Sequence, residues 1–152
     1  MQVIKARIAV IGAGSCSVET AQVAEEVGQR IAEQGGILLC GGLGGVMEAA
    51  ARGAGKAGGL TVGILPGNLA SQANRYIDIP VVTGIGHARN VVLVQSAQGI
   101  IAVKGEYGTL SEIAVALKEN KPIVGIDTWK IKGIPGFNHP EEAVSELFKM
   151  IG

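Results

Sequence analysis

Four glycine-rich segments hold the residues of this chain that could do chemistry. They cover residues 12–17 (GAGSCS), 41–47 (GGLGGVM), 83–90 (TGIGHARN) and 104–112 (KGEYGTLSE). Glycines let backbone N–H groups approach a ligand closely, and a helix that begins there adds a dipole that favours an anion. The pattern therefore indicates the binding of a phosphate group.

Segment 12–17 is a partial match to the G-x-G-x-x-G loop of dinucleotide-binding proteins. Its third glycine position holds Ser17, which by type is a helix N-cap. The next predicted strand ends in Cys40 and two glycines, without the acidic residue that binds a ribose. We predict a loop that contacts a ligand through Gly12, Gly14 and Ser15, and we disfavour a nicotinamide or flavin site.

Segment 41–47 lacks the G-K-[ST] ending of a P-loop, so triphosphate hydrolysis is not indicated. A tight strand-to-helix turn is the simpler explanation of its glycines. Four glycines in five residues exceed what a turn needs, however, so close approach of a ligand is favoured. The predicted contacts are Gly41, Gly42, Gly44 and Gly45.

Segment 104–112 has two interpretations that local pattern does not separate. Thr109 and Glu112 have the T-x-x-E spacing of a capping box, which would explain both residues without a ligand. Alternatively, Gly105, Gly108 and Thr109 contact a phosphate while Glu112 faces a sugar.

In segment 83–90, Arg89 begins a predicted helix beside a glycine-rich loop. A guanidinium there could bind a phosphate with two parallel hydrogen bonds. Asn90 is a further candidate contact. His87 is expected to be a cap or packing residue, since no serine or cysteine is in evident register with it.

Alternating strands and helices must position these segments. Apolar runs at residues 8–11, 37–40, 60–65, 100–103 and 122–126 predict strands buried on both faces, and residues 78–82 a weaker one. We expect one domain over residues 1–152 with an α/β, Rossmann-like, doubly wound fold. Its mainly parallel sheet has six or seven strands, with helices on both faces. Residues 129–140 are predicted to be a loop or short hairpin. Ligands bind at the carboxyl ends of the strands in such sheets, which is where the four segments lie.

The composition of the chain limits the classes of partner that we expect. Lys and Arg number 13 and Asp and Glu number 13, so net charge offers no reason to expect nucleic acid or a membrane surface. No apolar run approaches the roughly 18 residues of a membrane span, and the expected location is cytoplasmic. The charged fraction of 17% leaves much neutral surface, which favours a homo-oligomer, either a dimer or a tetramer. Cys16 and Cys40 have no metal-ligand spacing, so no metal site is predicted.

Taken together and in this order, residues 41–59, 62–67, 83–90 and 104–112 resemble a Rossmann-like superfamily historically labelled lysine decarboxylase-like. Its members include the Lonely-guy (LOG-like) phosphoribohydrolases that activate cytokinins and the molybdenum cofactor carrier proteins. The resemblance extends from about residue 8 to residue 126, and residues 88–90 and 108–112 are closer to the carrier branch. It implies a homo-oligomer and a phosphorylated small molecule held where the helix after Gly108 begins. A nucleotide, a molybdopterin-type cofactor or phosphate would fit, and no cofactor is required.

In the phosphoribohydrolases the motif is P-G-G-x-G-T-x-x-E, preceded by an R-K pair whose Arg acts with the last Glu in cleaving an N-glycosidic bond. By position, Arg89 and Glu112 would be the catalytic residues if this chain is an enzyme. Val103-Lys104 stands at the proline position, Glu106 replaces a glycine and Asn90 replaces the lysine. These departures argue against catalysis more strongly than they argue against the binding of a ligand.

Three functions remain open. The first is a binding or carrier protein for a nucleotide-like phosphorylated ligand. The second is a nucleoside 5′-monophosphate phosphoribohydrolase, and the third a scaffold or regulatory sensor. Lysine decarboxylation has no support, because the sequence contains no pattern for pyridoxal phosphate.

Overall fold

The computed structural model describes residues 5–152. These residues form a single parallel sheet of seven strands with helices on both faces. In chain order the strands are β1 (Arg7–Gly12), β2 (Ile37–Cys40), β3 (Thr61–Leu65), β4 (Ile79–Val82), β5 (Gly99–Val103), β6 (Ile123–Ile126) and β7 (Gly136–Phe137). Their order across the sheet is β4-β3-β2-β1-β5-β6-β7, and every neighbouring pair is parallel. The predicted doubly wound α/β fold is confirmed.

Five helices cover the two faces of this sheet. They are α1 (Val18–Glu33), α2 (Val46–Lys56), α3 (Arg89–Ser96), α4 (Tyr107–Lys118) and α5 (Pro140–Ile151). Helices α1, α2 and α5 pack on one face with Ile8 and Val10 of β1, while α3 and α4 pack on the other with Ala9 and Ile11. Alternate residues of one strand thus enter two aliphatic cores, which is why β1 has a continuous apolar run. No helix among the described residues is long and apolar enough to cross a membrane.

The sheet changes winding direction between β1 and β5. The chain leaves β1 towards the face of α1 and leaves β5 towards the face of α4, so the loops after these adjacent strands diverge. A crevice opens at such a switch point, beyond the carboxyl ends of the strands.

Two local predictions need correction. The alternative of a hairpin at residues 129–140 is wrong, because β7 pairs with β6 in parallel, with Gly125 opposite Gly136. The capping box at Thr109 and Glu112 is wrong as well. Helix α4 begins three residues earlier than that box requires, at Tyr107, with Glu106 in place of Thr109 as its N-cap and no side-chain cap hydrogen bond.

Candidate functional site

A cavity of about 350 Å³ occupies the switch point between β1 and β5. All four glycine-rich segments contribute to its wall. The lining residues are Val10, Ile11, Gly12, Ala13, Gly14, Ser15, Gly41, Met47, His87, Arg89, Asn90, Glu106, Gly108, Thr109 and Glu112. We refer to it below as the switch-point cavity.

The first turn of α4 presents free backbone donors at this cavity. Among the described residues, the N–H groups of Tyr107, Gly108 and Thr109 donate to no protein acceptor, and the first helical bond runs from Leu110 N–H to the carbonyl of Glu106. Gly108 is exposed and a Cβ built on it would meet nothing within 4 Å, so the approach to these donors is open. Such a helix start attracts an anion through its free N–H groups and its dipole.

The Arg89 side chain is the most unusual charged group of the cavity. It begins α3, which packs on the same face of the sheet as α4, and is only 9% exposed. Its Nη1 donates to Oδ1 of Asn90 at 2.8 Å, while its Nε is buried and has no hydrogen-bond partner. Burial lowers the pKa of Arg89 below its ordinary value, and the nearby Glu112 acts against that shift. An incompletely paired, buried guanidinium is costly unless an anion completes its hydrogen bonds.

Gly41 lies where the Arg89 guanidinium needs space. A Cβ built on Gly41 would lie 2.5 Å from Nη1 of Arg89 and 2.6 Å from Sδ of Met47. Any larger residue would therefore displace both side chains. The role of Gly41 is to admit the arginine, in addition to lining the cavity.

Glu112 lies on α4, in the same cavity, with only 6% of its surface exposed. Burial raises the pKa of this carboxyl from 4.5 to about 7, although the positive charge of Arg89 acts to lower it. Arg89 and Glu112 form no ion pair within 4.0 Å, and no hydrogen bond between described residues uses the Glu112 carboxyl group. The cavity therefore contains one cationic group and one acid that is easily protonated at neutral pH.

The second glycine-rich segment contributes less to the cavity than predicted. Gly42, Gly44 and Gly45 do not line it. At Gly45, which has a φ of +61°, a Cβ would collide with the backbone of Ala13 and Gly14. Asn74 fixes the segment from outside by donating through Nδ2 to the carbonyl of Leu43 at 2.8 Å. These glycines allow two loops to pack together, so the turn hypothesis explains them.

Gly105 also lies outside the switch-point cavity. It lines a smaller neighbouring cavity of about 250 Å³ together with Ser15, Cys16 and Glu106. Its φ is +105°, and a Cβ there would overlap the Thr109 side chain. Gly105 thus lets the chain turn sharply into α4 and lets Thr109 become buried.

Several features of the cavity were not predicted from the sequence. Met47 and Glu106 line it, and so does His87, which lies in a short 3-10 turn and was expected to cap or pack. Ser17 caps α1 as expected, because its Oγ accepts from the N–H of Thr20 at 3.1 Å. The only usable signal for Met47 was its position at the end of a glycine-rich segment.

Neither cysteine is disulfide-bonded, and the two differ in environment. Cys16 is exposed, and Cys40 is fully buried. Burial raises the pKa of the Cys40 thiol to about 11. A neutral, buried thiol is a packing group and not a nucleophile.

Comparison with known proteins identifies relatives over almost the whole chain. Residues 5–150 match the model of the SLOG cluster4 family. An uncharacterised protein of Archaeoglobus fulgidus is 51% identical over 140 residues, covering 91% of this chain and 92% of that protein. The cytokinin riboside 5′-monophosphate phosphoribohydrolase of Mycobacterium tuberculosis is 35% identical over 121 residues, covering 73% of this chain and 64% of that protein.

Solved structures of molybdenum cofactor binding and carrier proteins also resemble this chain over almost its whole length. The molybdenum cofactor binding protein of the phototrophic bacterium Rippkaea orientalis superposes with a TM-score of 0.94 at 35% identity, covering 99% of this chain and all of that chain. The molybdenum cofactor carrier protein of Chlamydomonas reinhardtii superposes with a TM-score of 0.86 at 33% identity, covering 97% of this chain and 98% of the other.

Proposed function

We propose, from the premise that this chain belongs to the SLOG cluster4 family, that it is a binding or carrier protein for a nucleotide-like phosphorylated ligand. The observation that carries the proposal is the buried Arg89 guanidinium, whose Nε has no partner, in the same cavity as the free N–H groups that begin α4. Both features need an anion, and a phosphate group satisfies both.

The phosphate would lie between the starts of α3 and α4. The N–H groups of Gly108 and Thr109 would donate to its oxygens from one side and Arg89 from the other. Gly12, Gly14 and Ser15 would contact the rest of the ligand from the loop after β1, which lines the same cavity. Gly41 would keep the guanidinium in place.

Glu112 determines whether this site tolerates the charge of a phosphate. A pKa of about 7 means that the carboxyl group is protonated in about half of the molecules at neutral pH. The protonated form does not repel the phosphate, and it can donate a hydrogen bond to a ligand oxygen. Glu106, which also lines the cavity, is exposed and therefore screened by water.

Two ligand classes fit these groups, a nucleoside monophosphate and a molybdopterin-type cofactor. The second is supported by the close structural match to the Rippkaea orientalis and Chlamydomonas reinhardtii proteins. It would be cargo held by its phosphate, with the backbone N–H groups at the start of α4 and the Arg89 side chain as the donors.

The test is to incubate the protein with AMP and to measure bound nucleotide and free adenine in the same samples. Saturable binding without release of adenine supports a carrier. The absence of both, together with no thermal stabilisation by any phosphorylated compound, would support a scaffold and overturn the proposal.

A second candidate function, hydrolysis of a nucleoside 5′-monophosphate to the free base, is favoured by the position of Glu112. With a pKa near 7 this carboxyl group is available in two forms at neutral pH. The carboxylate can stabilise the positive oxocarbenium charge that develops on the sugar when an N-glycosidic bond breaks, and the acid can protonate the leaving base. The Mycobacterium tuberculosis relative has this activity in its name. Release of adenine from AMP that disappears in Glu112→Ala would establish it.

We also propose that the chain forms a homo-oligomer through the sheet edge at β4. All four residues of this strand are exposed and uncharged, and Leu69 and Ile85 extend the apolar surface beside it. Monomeric proteins often protect a sheet edge with charged residues, and no residue of this strand is charged. Size-exclusion chromatography with light scattering gives the number of subunits.

A further inference from the structure

A chain of hydrogen bonds joins Arg89 to the first turn of α4. Asn90 Oδ1 accepts from Arg89 Nη1 at 2.8 Å. The Nδ2 of Asn90 donates to Oγ of Ser111 at 3.4 Å, and that hydroxyl donates to the carbonyl of Gly108 at 2.7 Å. The arginine is therefore linked to the helix start whose N–H groups face the same cavity.

This arrangement makes Asn90 a support for Arg89 more than a contact for a ligand. Its side-chain oxygen is already used by Arg89. The guanidinium has little other support, since its Nε is unpartnered and Glu112 lies beyond ion-pair distance. The guanidinium otherwise packs against Gly41, where a Cβ would lie 2.5 Å from Nη1, the same atom that donates to Asn90.

The chemical type of residue 90 also matters. An amide oxygen orients the guanidinium without neutralising it, so the positive charge stays available to an anion. A carboxylate at the same place would form an ion pair with Arg89 and would repel a phosphate.

We propose that Asn90 is a positioning residue, which orients the Arg89 guanidinium towards a phosphate bound at the start of α4. Through its hydrogen bond to Ser111, Asn90 also fixes the distance between the guanidinium and that helix. This inference rests on the proposed function and deepens it, because it names the group that orients the phosphate-binding arginine. It revises the expectation that Asn90 itself contacts the ligand.

The test is a double-mutant cycle on AMP binding, measured by isothermal titration calorimetry. Asn90→Ala should weaken binding about tenfold, since a hydrogen bond to a charged group contributes about that factor. In a protein that already carries Arg89→Ala, the same change should alter binding less than about twofold, because residues that act as one unit are not additive.

Two further variants separate positioning from general stability. Asn90→Asp has the same shape and should bind AMP more weakly than Asn90→Ala, because the new carboxylate pairs with Arg89. Gln95→Ala is the matched control. Gln95 lies on the same helix and, like Asn90, forms a hydrogen bond to the α4 segment: its Nε2 donates to Oε1 of Glu119, the C-cap of α4, at 2.8 Å. Because Gln95 does not line the cavity, AMP binding by Gln95→Ala should be unchanged.

The outcomes are distinct. Equal losses from Asn90→Ala with and without Arg89 would overturn the inference and make Asn90 a direct ligand contact. Normal binding by Asn90→Asp would overturn it as well. If the unmodified chain binds no AMP, or if Arg89→Ala binds AMP normally, the proposed phosphate site itself fails and the inference fails with it.

Discussion

Replacing Glu112 with glutamine should remove a loss of stability that the unmodified protein suffers between pH 4.5 and pH 7. The Glu112 carboxyl group is 6% exposed and forms no ion pair with Arg89, so its charged form is poorly solvated in the folded state. Burial raises its pKa from 4.5 to about 7. Glutamine keeps the size and polarity of the side chain but cannot ionise.

The sign and the size follow from that shift. A folded-state pKa above the unfolded value means that the folded chain holds a proton that the unfolded chain releases. The stabilisation is therefore complete below pH 4.5 and disappears as the pH rises to about 7. Each pKa unit corresponds to about 1.4 kcal/mol, which makes the full effect on the order of 3 kcal/mol.

Urea unfolding of both proteins at a series of pH values from 4 to 8 measures this effect. The free energy of unfolding of the unmodified protein minus that of Glu112→Gln should fall by on the order of 3 kcal/mol over this range and then level off. The subtraction cancels all other titrating groups. A difference that stays constant would show that Glu112 is solvated or paired in the folded state, and a rising difference would show that Arg89 dominates its pKa. Either result refutes the reasoning.

Three other changes test the site and its surroundings. Arg89→Ala should weaken AMP binding at least tenfold. It should lower the free energy of unfolding by less than about 1 kcal/mol, because removal of a buried charge offsets the lost contacts. A large drop in melting temperature would show instead that Arg89 has a structural role. Gly41→Ala should weaken AMP binding with a small effect on stability, since its Cβ displaces only the flexible ends of Arg89 and Met47; calorimetry and thermal melting together check both. Val81→Lys, on the exposed β4 edge, should reduce the number of subunits seen by light scattering, whereas Val18→Lys at an exposed helix start should not; equal masses for both variants would exclude β4 as the interface.

Whereas the exposed edge strand β4 gave a weaker pattern, the five inner strands of the sheet could be predicted because they are buried on both faces. Such strands need unbroken β-branched or aliphatic runs, and β5 (Gly99–Val103) is the clearest, with all five residues buried. The two-residue strand β7 could not be predicted. It has no periodicity, and its parallel pairing with Gly125 and Ile126 depends on how the preceding loop folds back.

The start of α4 illustrates why a local motif can mislead. Thr109 and Glu112 have capping-box spacing, but both are buried inside the helix, facing the cavity and core. Burial of those two side chains requires the helix to begin earlier, at Tyr107, and tertiary packing outweighs the local capping preference. The residue that marks the true start, Glu106, is an ordinary surface type with no signal of its own.

The resemblance to the LOG-like and molybdenum cofactor carrier group is confirmed by the family match and by the solved structures. Convergence of four segments at one sheet edge also followed from strand topology alone. Which glycines face the cavity did not follow. Gly41 lines it and Gly45 packs against a neighbouring loop, and this difference depends on three-dimensional contacts between segments distant in the chain.

The most direct test of the central claim compares AMP with adenosine by isothermal titration calorimetry, using the unmodified protein and Arg89→Ala. If the start of α4 and Arg89 hold a phosphate, AMP binds saturably and adenosine at least tenfold more weakly. Arg89→Ala then binds the two compounds with nearly equal affinity, because the group that distinguishes them is gone. Equal affinity of the unmodified protein for AMP and adenosine would contradict a phosphate-binding function for this cavity.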